Sequence, residues 1–191
     1  MYLSAGIPTD QLPARLNRPF AIAVTGHCQL SNLATRRFVE RALSTLLDQL
    51  QRLDLGDIVA LSGLAAGVDT IFAEVVLAQG IPLESCLACA DIAANFAPGP
   101  ERERFLMLVE RSRRVYHLPY IARSNTAYMA LGHWLVDTSD LLIAVWNGQP
   151  AAALGGTGDV VVYARQRERP VIHIHTVERT IRLLLPTPSS R

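Results

Sequence analysis

Apolar runs of strand length alternate along this chain with segments of helical period, and no other feature constrains its fold as strongly. Residues 20–25 form a continuous apolar run that ends at Gly26. A helix follows, with apolar residues at Leu33, Phe38, Val39, Ala42, Leu43, Leu46, Leu47 and Leu50, and with Ser31 or Asn32 as its cap. Further strands are predicted over 57–62, 81–88, 114–118, 141–146 and 170–175, and further helices over 68–79, 101–113, 125–138 and 158–166. Gly80 closes the second helix, and Pro98-Gly99-Pro100 opens the third after a loop over 90–100. Strands that are apolar throughout, separated by helices, argue for a parallel sheet covered on both faces. The expected fold is a single α/β domain of three layers with a mainly parallel sheet, spanning 19–178. Residues 1–18 read as an N-terminal arm and 179–191 as a C-terminal tail rich in proline and serine at its end.

Composition narrows the chemistry. A chain of 191 residues is long enough for one sizeable core and short for two. Its 18 basic residues are all arginine, so no step here can rest on a phosphate-loop, Schiff-base or kinase-type lysine. A net charge of +1 gives no global field toward nucleic acid or membrane. No apolar run approaches the roughly 20 residues of a membrane span, and the start of the chain lacks the order of a signal peptide. With three cysteines, an odd count, the expectation is reduced thiols and a cytoplasmic protein.

Two glycine-bearing turns follow predicted strands and precede predicted helices. They are Ser62-Gly63-Leu64-Ala65-Ala66-Gly67-Val68-Asp69 and Gly155-Gly156-Thr157-Gly158-Asp159. Such turns aim backbone N–H groups and a helix N-terminus at one spot, which suits phosphate. In an open parallel sheet a ligand lies beyond the carboxyl ends of the strands, near the point where strand order reverses. Thr25-Gly26-His27, Ser62-Gly63 and Trp146-Asn147-Gly148 all end predicted strands there.

These residues resemble the SLOG superfamily, the Rossmann-like nucleotide-binding domains that group the DNA-processing protein A (Smf/DprA) with the Lonely Guy proteins. The resemblance covers about residues 20–176 and rests on Val24-Thr25-Gly26, the Ser62–Asp69 stretch, Ser139-Asp140 before the fifth strand, and Gly155-Gly156-Thr157-Gly158-Asp159 with Tyr163-Ala164 after it. It implies a Rossmann-like fold and a phosphate grip of backbone amides at Gly26, Gly63, Gly155, Gly156 and Thr157. Gly67, Ser62, Asp69, Asn125 and Asp159 complete the expected ligand site. Asp69 and Asp159 either cap their helices or meet a ribose hydroxyl, and Asn125 either caps its helix or meets a phosphate or base. The expected ligand is a nucleotide or nucleotide-derived molecule, of the ADP-ribose, NAD or nucleoside-monophosphate kind. No metal or other cofactor is expected, and the resemblance implies a homo-oligomer.

One departure bears on catalysis. The phosphoribohydrolases of the Lonely Guy branch carry two glycines, any residue, glycine, threonine, any two residues, then glutamate. Aligning the leading glycines puts Val162 at the glutamate, and aligning the threonines puts Val160 there. Valine can neither stabilise an oxocarbenium-like transition state nor move a proton. Nucleotide N-glycosidase activity is therefore the alternative, with no catalytic residue assigned. Binding of single-stranded DNA is the other, and it is not favoured. Arg102, Arg104, Arg111, Arg113 and Arg114 are interleaved with Glu101, Glu103 and Glu110, the pattern of a solvated, salt-bridged face rather than a basic track. Cys86 and Cys89 read as small buried residues, His173 and His175 as neighbours on one face of a strand, and His133 as packing. Arg123 precedes a helix where it can meet a ligand, and Trp146 either stacks on a base or belongs to the core.

Overall fold

The computed structural model describes residues 18–151 and 153–184, so the expected arm before Arg18 and the end of the expected tail lie outside the described residues. The described residues form strands β1 (Phe20–Gly26), β2 (Ile58–Ser62), β3 (Leu83–Leu87), β4 (Arg114–His117), β5 (Leu141–Trp146), β6 (Val171–His175) and β7 (Thr180–Leu184). The helices are α1 (Leu33–Gln51), α2 (Val68–Ala78), α3 (Pro100–Arg111), α4 (Asn125–Thr138) and α5 (Thr157–Gln166), and a 3-10 turn spans Ile92–Asn95. One sheet holds all seven strands in the order β4-β3-β2-β1-β5-β6-β7. Every pairing is parallel except β6 with β7.

The apolar runs explain this arrangement. β1 and β5 lie side by side at the centre, in register from Ile22 opposite Leu141 to Gly26 opposite Val145, and β5 is buried along its whole length. A strand with no solvated face needs cover on both sides. From β1 to β4 the sheet grows in one direction, with α1, α2 and α3 as crossovers; from β5 it grows in the other, with α5. Right-handed crossovers therefore place the two sets on opposite faces, and α2 packs on α1 and α3 whereas α4 packs on α5. The result is a three-layer α/β fold. No helix among the described residues is long and apolar enough to cross a membrane.

The helix starts resolve the open capping questions. Asn32, not Ser31, caps α1, its Oδ1 accepting from Thr35 N at 2.8 Å. Leu33 opens the helix outside the core and is exposed, while the other seven apolar positions read from the sequence are buried. Ser124 caps α4, its Oγ accepting from Ala127 N at 3.0 Å, so Asn125 is the first helical residue rather than the cap. β7 is a strand within a stretch expected to be tail. A turn through Arg179, whose φ is +54°, folds Thr180–Leu184 back along β6, where Ile181 pairs with Ile174. The half-buried run Thr-Ile-Arg-Leu-Leu has too little alternation to announce an edge strand by itself.

A buried carboxylate ties the first strand to the fifth at the end of the sheet away from the glycine turns. Asp140 Oδ2 accepts from Ala21 N at 2.9 Å, Asp140 N donates to Ala21 O at 2.8 Å, and Arg18 grips both carboxylate oxygens at 2.8 and 2.7 Å. Removing the carboxylate strands a buried N–H, at a cost of about 1–3 kcal/mol. Asp140→Ala is expected to lower unfolding stability by about 2 kcal/mol, and Asp140→Asn, which keeps an acceptor, by less. Urea unfolding midpoints check this; an unchanged midpoint in Asp140→Ala would remove the tether from the account.

Candidate functional site

Because α1 leaves β1 toward one face and α5 follows β5 on the other, the loops after these two neighbouring strands diverge and leave a crevice. A cavity of about 550 Å³ opens there. Its walls come from Gly26–Cys28 after β1, Asp69 on α2, Tyr128 and Leu131 on α4, Trp146 at the end of β5, and the Gly155–Gly158 turn that starts α5.

The glycines are needed for backbone contact. Gly67 has φ +83°, and a Cβ there would lie 2.4 Å from the carbonyl oxygens of His27 and Cys28. A Cβ on Gly26 would lie 2.6 Å from Val68 and 2.8 Å from Val145 O. The exit of β1 thus touches the start of α2, and Val68 N donates to His27 O across the contact at 3.1 Å. Gly155, with φ +84°, lets the second turn settle on α4, where a Cβ would meet Met129 N at 2.7 Å.

Of the expected site residues, Gly26, Asp69, Gly155, Gly156 and Thr157 line this cavity. Gly67 faces an adjoining cavity of about 390 Å³ that shares the Cys28 wall. Ser62 is buried behind the turn; its hydroxyl donates to Asp69 O at 3.3 Å and accepts from Leu64 N at 3.1 Å. Gly63 sits beneath Leu131 and the Asp69 carboxylate. Asn125 is exposed and reaches the second turn through its backbone carbonyl. Asp159 turns back on its own loop, where Oδ2 accepts from Gly155 N at 3.1 Å, and Gly156 N donates to Ala153 O at 3.1 Å. Two amides expected to grip phosphate therefore already have acceptors. The donors at this end of the cavity are the Thr157 hydroxyl and the N–H groups of Thr157 and Gly158, which open α5 and have no intrahelical acceptor.

The cavity carries little formal charge. None of its lining residues is an arginine. Burial pushes the Asp69 carboxyl up to about 7, against the opposing pull of backbone N–H groups at Ala65 and Gly63. Burial also raises the Cys28 thiol, helped by the neighbouring Asp69, and lowers His27. His27 Nε2 accepts from Asn147 N at 3.2 Å, so its ring links the two lips of the crevice. Trp146 forms a wall, its ring centroid 3.8 Å from that of His173 and its indole N–H donating to Gln149 O at 3.2 Å. Of the two valines that align with the phosphoribohydrolase glutamate, Val160 lines the cavity, whereas Val162 is exposed outside it.

Several of the remaining candidates have structural partners. Arg104 pairs with Glu74 at 3.0 Å, and Arg113 with Glu84 at 3.6 Å. Glu74 also faces Arg36 at 3.9 Å, on the side of α2 toward α1 and α3. Cys86 and Cys89 are buried, with thiols pushed up by burial to about 12 and about 11. Among the described residues no group of three or more histidines, cysteines or carboxylates is placed to hold a metal ion. His133 stacks on Tyr163 at 3.9 Å, and Arg123 donates to Asn95 Oδ1 at 3.0 Å. Tyr128 was not legible as a lining residue, because on sequence it is one of several residues on the inward face of a helix.

No protein-family model matches the chain, and no curated protein sequence matches it. Solved structures do match by fold. DNA processing protein A from Helicobacter pylori, described for its single-stranded DNA binding mode, superposes with a TM-score of 0.55 at 16% identity, over 88% of this chain and 68% of its own. DNA processing protein A from Streptococcus pneumoniae gives 0.54 at 18% identity over 81% of this chain, which spans only half of that protein. A molybdenum cofactor binding protein from Rippkaea orientalis gives 0.54 at 17% identity, over 84% of this chain and 78% of its own. At these identities the likeness is one of fold. The chain has the Rossmann-like architecture of the DNA-processing proteins, as its resemblance to the SLOG superfamily implies.

Asp69 supplies a pH signature. A carboxyl whose native pKa of about 7 lies above its unfolded value holds its proton more tightly when folded. Its contribution to stability is full below about pH 4 and is lost as pH rises toward about 7. Asp69→Asn cannot ionise, so its stability relative to the wild type is expected to rise across that window, by up to about 4 kcal/mol. Urea midpoints measured against pH check this; parallel profiles would show that Asp69 does not titrate there.

Proposed function

We propose that this protein binds a nucleotide or nucleotide-derived ligand, of the nucleoside-monophosphate, ADP-ribose or NAD kind, in the crevice between the ends of β1 and β5. The observation that carries this reading is the cavity at the switch point with the open N-terminus of α5 and the Thr157 hydroxyl in its wall. Its volume suits a small molecule, and its floor of Val24, Leu131 and Val160 offers an apolar bed to a heterocycle. A phosphate there would meet backbone N–H groups and a hydroxyl. With no arginine in the lining, the site favours a ligand of few phosphates.

The cavity supports binding better than turnover, because both positions that align with the phosphoribohydrolase glutamate, Val160 and Val162, are apolar and Asp69 is the one carboxylate in the lining. DNA is the second reading, and the fold shared with the Helicobacter protein favours it. Against it, a strand of phosphates calls for a track of cations, and Arg104 and Arg113 of the α3 region are paired with glutamates. A binding module of this kind passes on its occupancy through a second copy or a partner protein.

Thermal shift and base release are measured together with AMP, ADP-ribose, NAD and cyclic nucleotides. Ligand at about 100-fold above its dissociation constant should add roughly 2.7 kcal/mol of stability without freeing base. A side chain at Gly156 would meet Ala151 Cβ at 2.9 Å, at the cavity edge rather than in the core. Gly156→Leu is therefore expected to abolish binding while leaving the protein folded, and Thr157→Val to weaken binding about fivefold. Unchanged affinity in both would move the ligand elsewhere, released base would make the protein a hydrolase, and steeply salt-dependent oligonucleotide binding would favour DNA.

A further inference from the structure

Tyr128, which lines the cavity, belongs to a short polar chain that starts outside it. Arg123 Nη1 donates to Asn95 Oδ1 at 3.0 Å, and Asn95 Nδ2 lies 2.8 Å from the Tyr128 hydroxyl. A guanidinium has donors only, so it faces the amide oxygen of Asn95 and leaves the amide nitrogen toward Tyr128. That nitrogen can only donate, so the phenol oxygen must accept. A hydroxyl that accepts from one side still has its own proton to give. Three elements hold the chain in place. The turn bearing Asn95 is followed by Phe96, whose ring is buried and stacked on Phe105 at 4.8 Å. The loop bearing Arg123 is tied by its own N–H to Asp91 Oδ1 at 3.1 Å. Tyr128 is in the first turn of α4, which Ser124 caps. Burial raises the phenol above its ordinary range, so the proton is present at neutral pH.

We infer that Tyr128 is a ligand-contacting residue whose hydroxyl is set as a hydrogen-bond donor by Arg123 acting through Asn95, so that it recognises an acceptor on the bound molecule. This rests on the cavity being the nucleotide site. The acceptor is a phosphate oxygen or an oxygen or ring nitrogen of the nucleoside, and both present the same lone pair to the phenol. In a lining without arginine, a donor of fixed polarity contributes orientation that a freely rotating hydroxyl would not. Arg123 and Asn95 are then positioning residues.

The direction of the chain makes it testable. Asn95→Asp keeps a partner for Arg123 and for Tyr128 but has no proton to give, so its carboxylate accepts the phenol hydrogen bond and turns that donor away from the ligand. With AMP as the probe, Tyr128→Phe and Asn95→Asp are each expected to bind about five- to tenfold more weakly than the wild type, and the double variant no more weakly than either. Asn95→Asp should retain the wild-type unfolding midpoint, which separates polarity from packing. The same losses with adenosine place the acceptor on the nucleoside; losses with AMP alone place it on the phosphate. Wild-type affinity in either single variant overturns the inference while leaving the nucleotide site intact. If the wild type binds no AMP, isotope-labelled tyrosine spectra followed against pH decide it. Asn95→Ala, which adds no charge, should raise the Tyr128 titration, and a lowered or unchanged titration shows that the chain does not run in this direction.

Discussion

The contact between Gly67 and the carbonyls of His27 and Cys28 is the constraint on which the crevice depends. At 2.4 Å from a virtual Cβ it leaves no room for any side chain, and it occurs where β1 ends and α2 begins. It seats the first turn of α2 against the exit of β1, which puts Asp69 in the cavity wall. The Val68 to His27 hydrogen bond runs across the same junction, and His27 in turn reaches Asn147 on the far lip. A glycine chosen for backbone approach thus positions a carboxyl, an imidazole and the mouth of the cavity together. The second glycine turn repeats the device on α4, where Gly155 brings the start of α5 against Met129.

Polarity in this crevice is managed without cations. The protein has 18 arginines, yet those near the glycine turns serve helices and loops: Arg104 and Arg36 meet Glu74, and Arg123 holds Asn95. What lines the cavity instead is backbone N–H, hydroxyl, amide and imidazole groups with one carboxyl whose charge is suppressed by burial. Such a lining discriminates by hydrogen-bond direction more than by net charge.

Much of the fold was legible because its strongest signals are local. The run over 141–146 and the helix over 125–138 coincide with β5 and α4, since an unbroken apolar hexamer and a capped amphipathic helix leave few alternatives. β7 was not legible, because an edge strand earns its place through pairing with β6 rather than through its own composition. The site divides in the same way. Glycines next to strand ends marked the end of the sheet at which the cavity opens, and Gly26, Asp69 and the Gly155–Thr157 turn do face that one cavity. Sequence could not tell that Ser62 would be consumed by its own turn, that Asp159 would bond Gly155, or that Ser124 rather than Asn125 would cap α4. Each of those depends on a side-chain rotamer chosen among near-equal local options. Tyr128 needed the third dimension, because Asn95 is 33 residues away along the chain.

The bond from Gly155 to Asp159 has a kinetic consequence. By accepting from the turn's own N–H, the carboxylate fixes the shape of the loop in the folded protein itself. Ordering a loop on binding costs conformational entropy and slows capture. Here that ordering belongs to folding instead, so under the proposed function association would resemble the docking of a rigid body into a finished mould, with little reshaping of the turn between the empty and occupied protein.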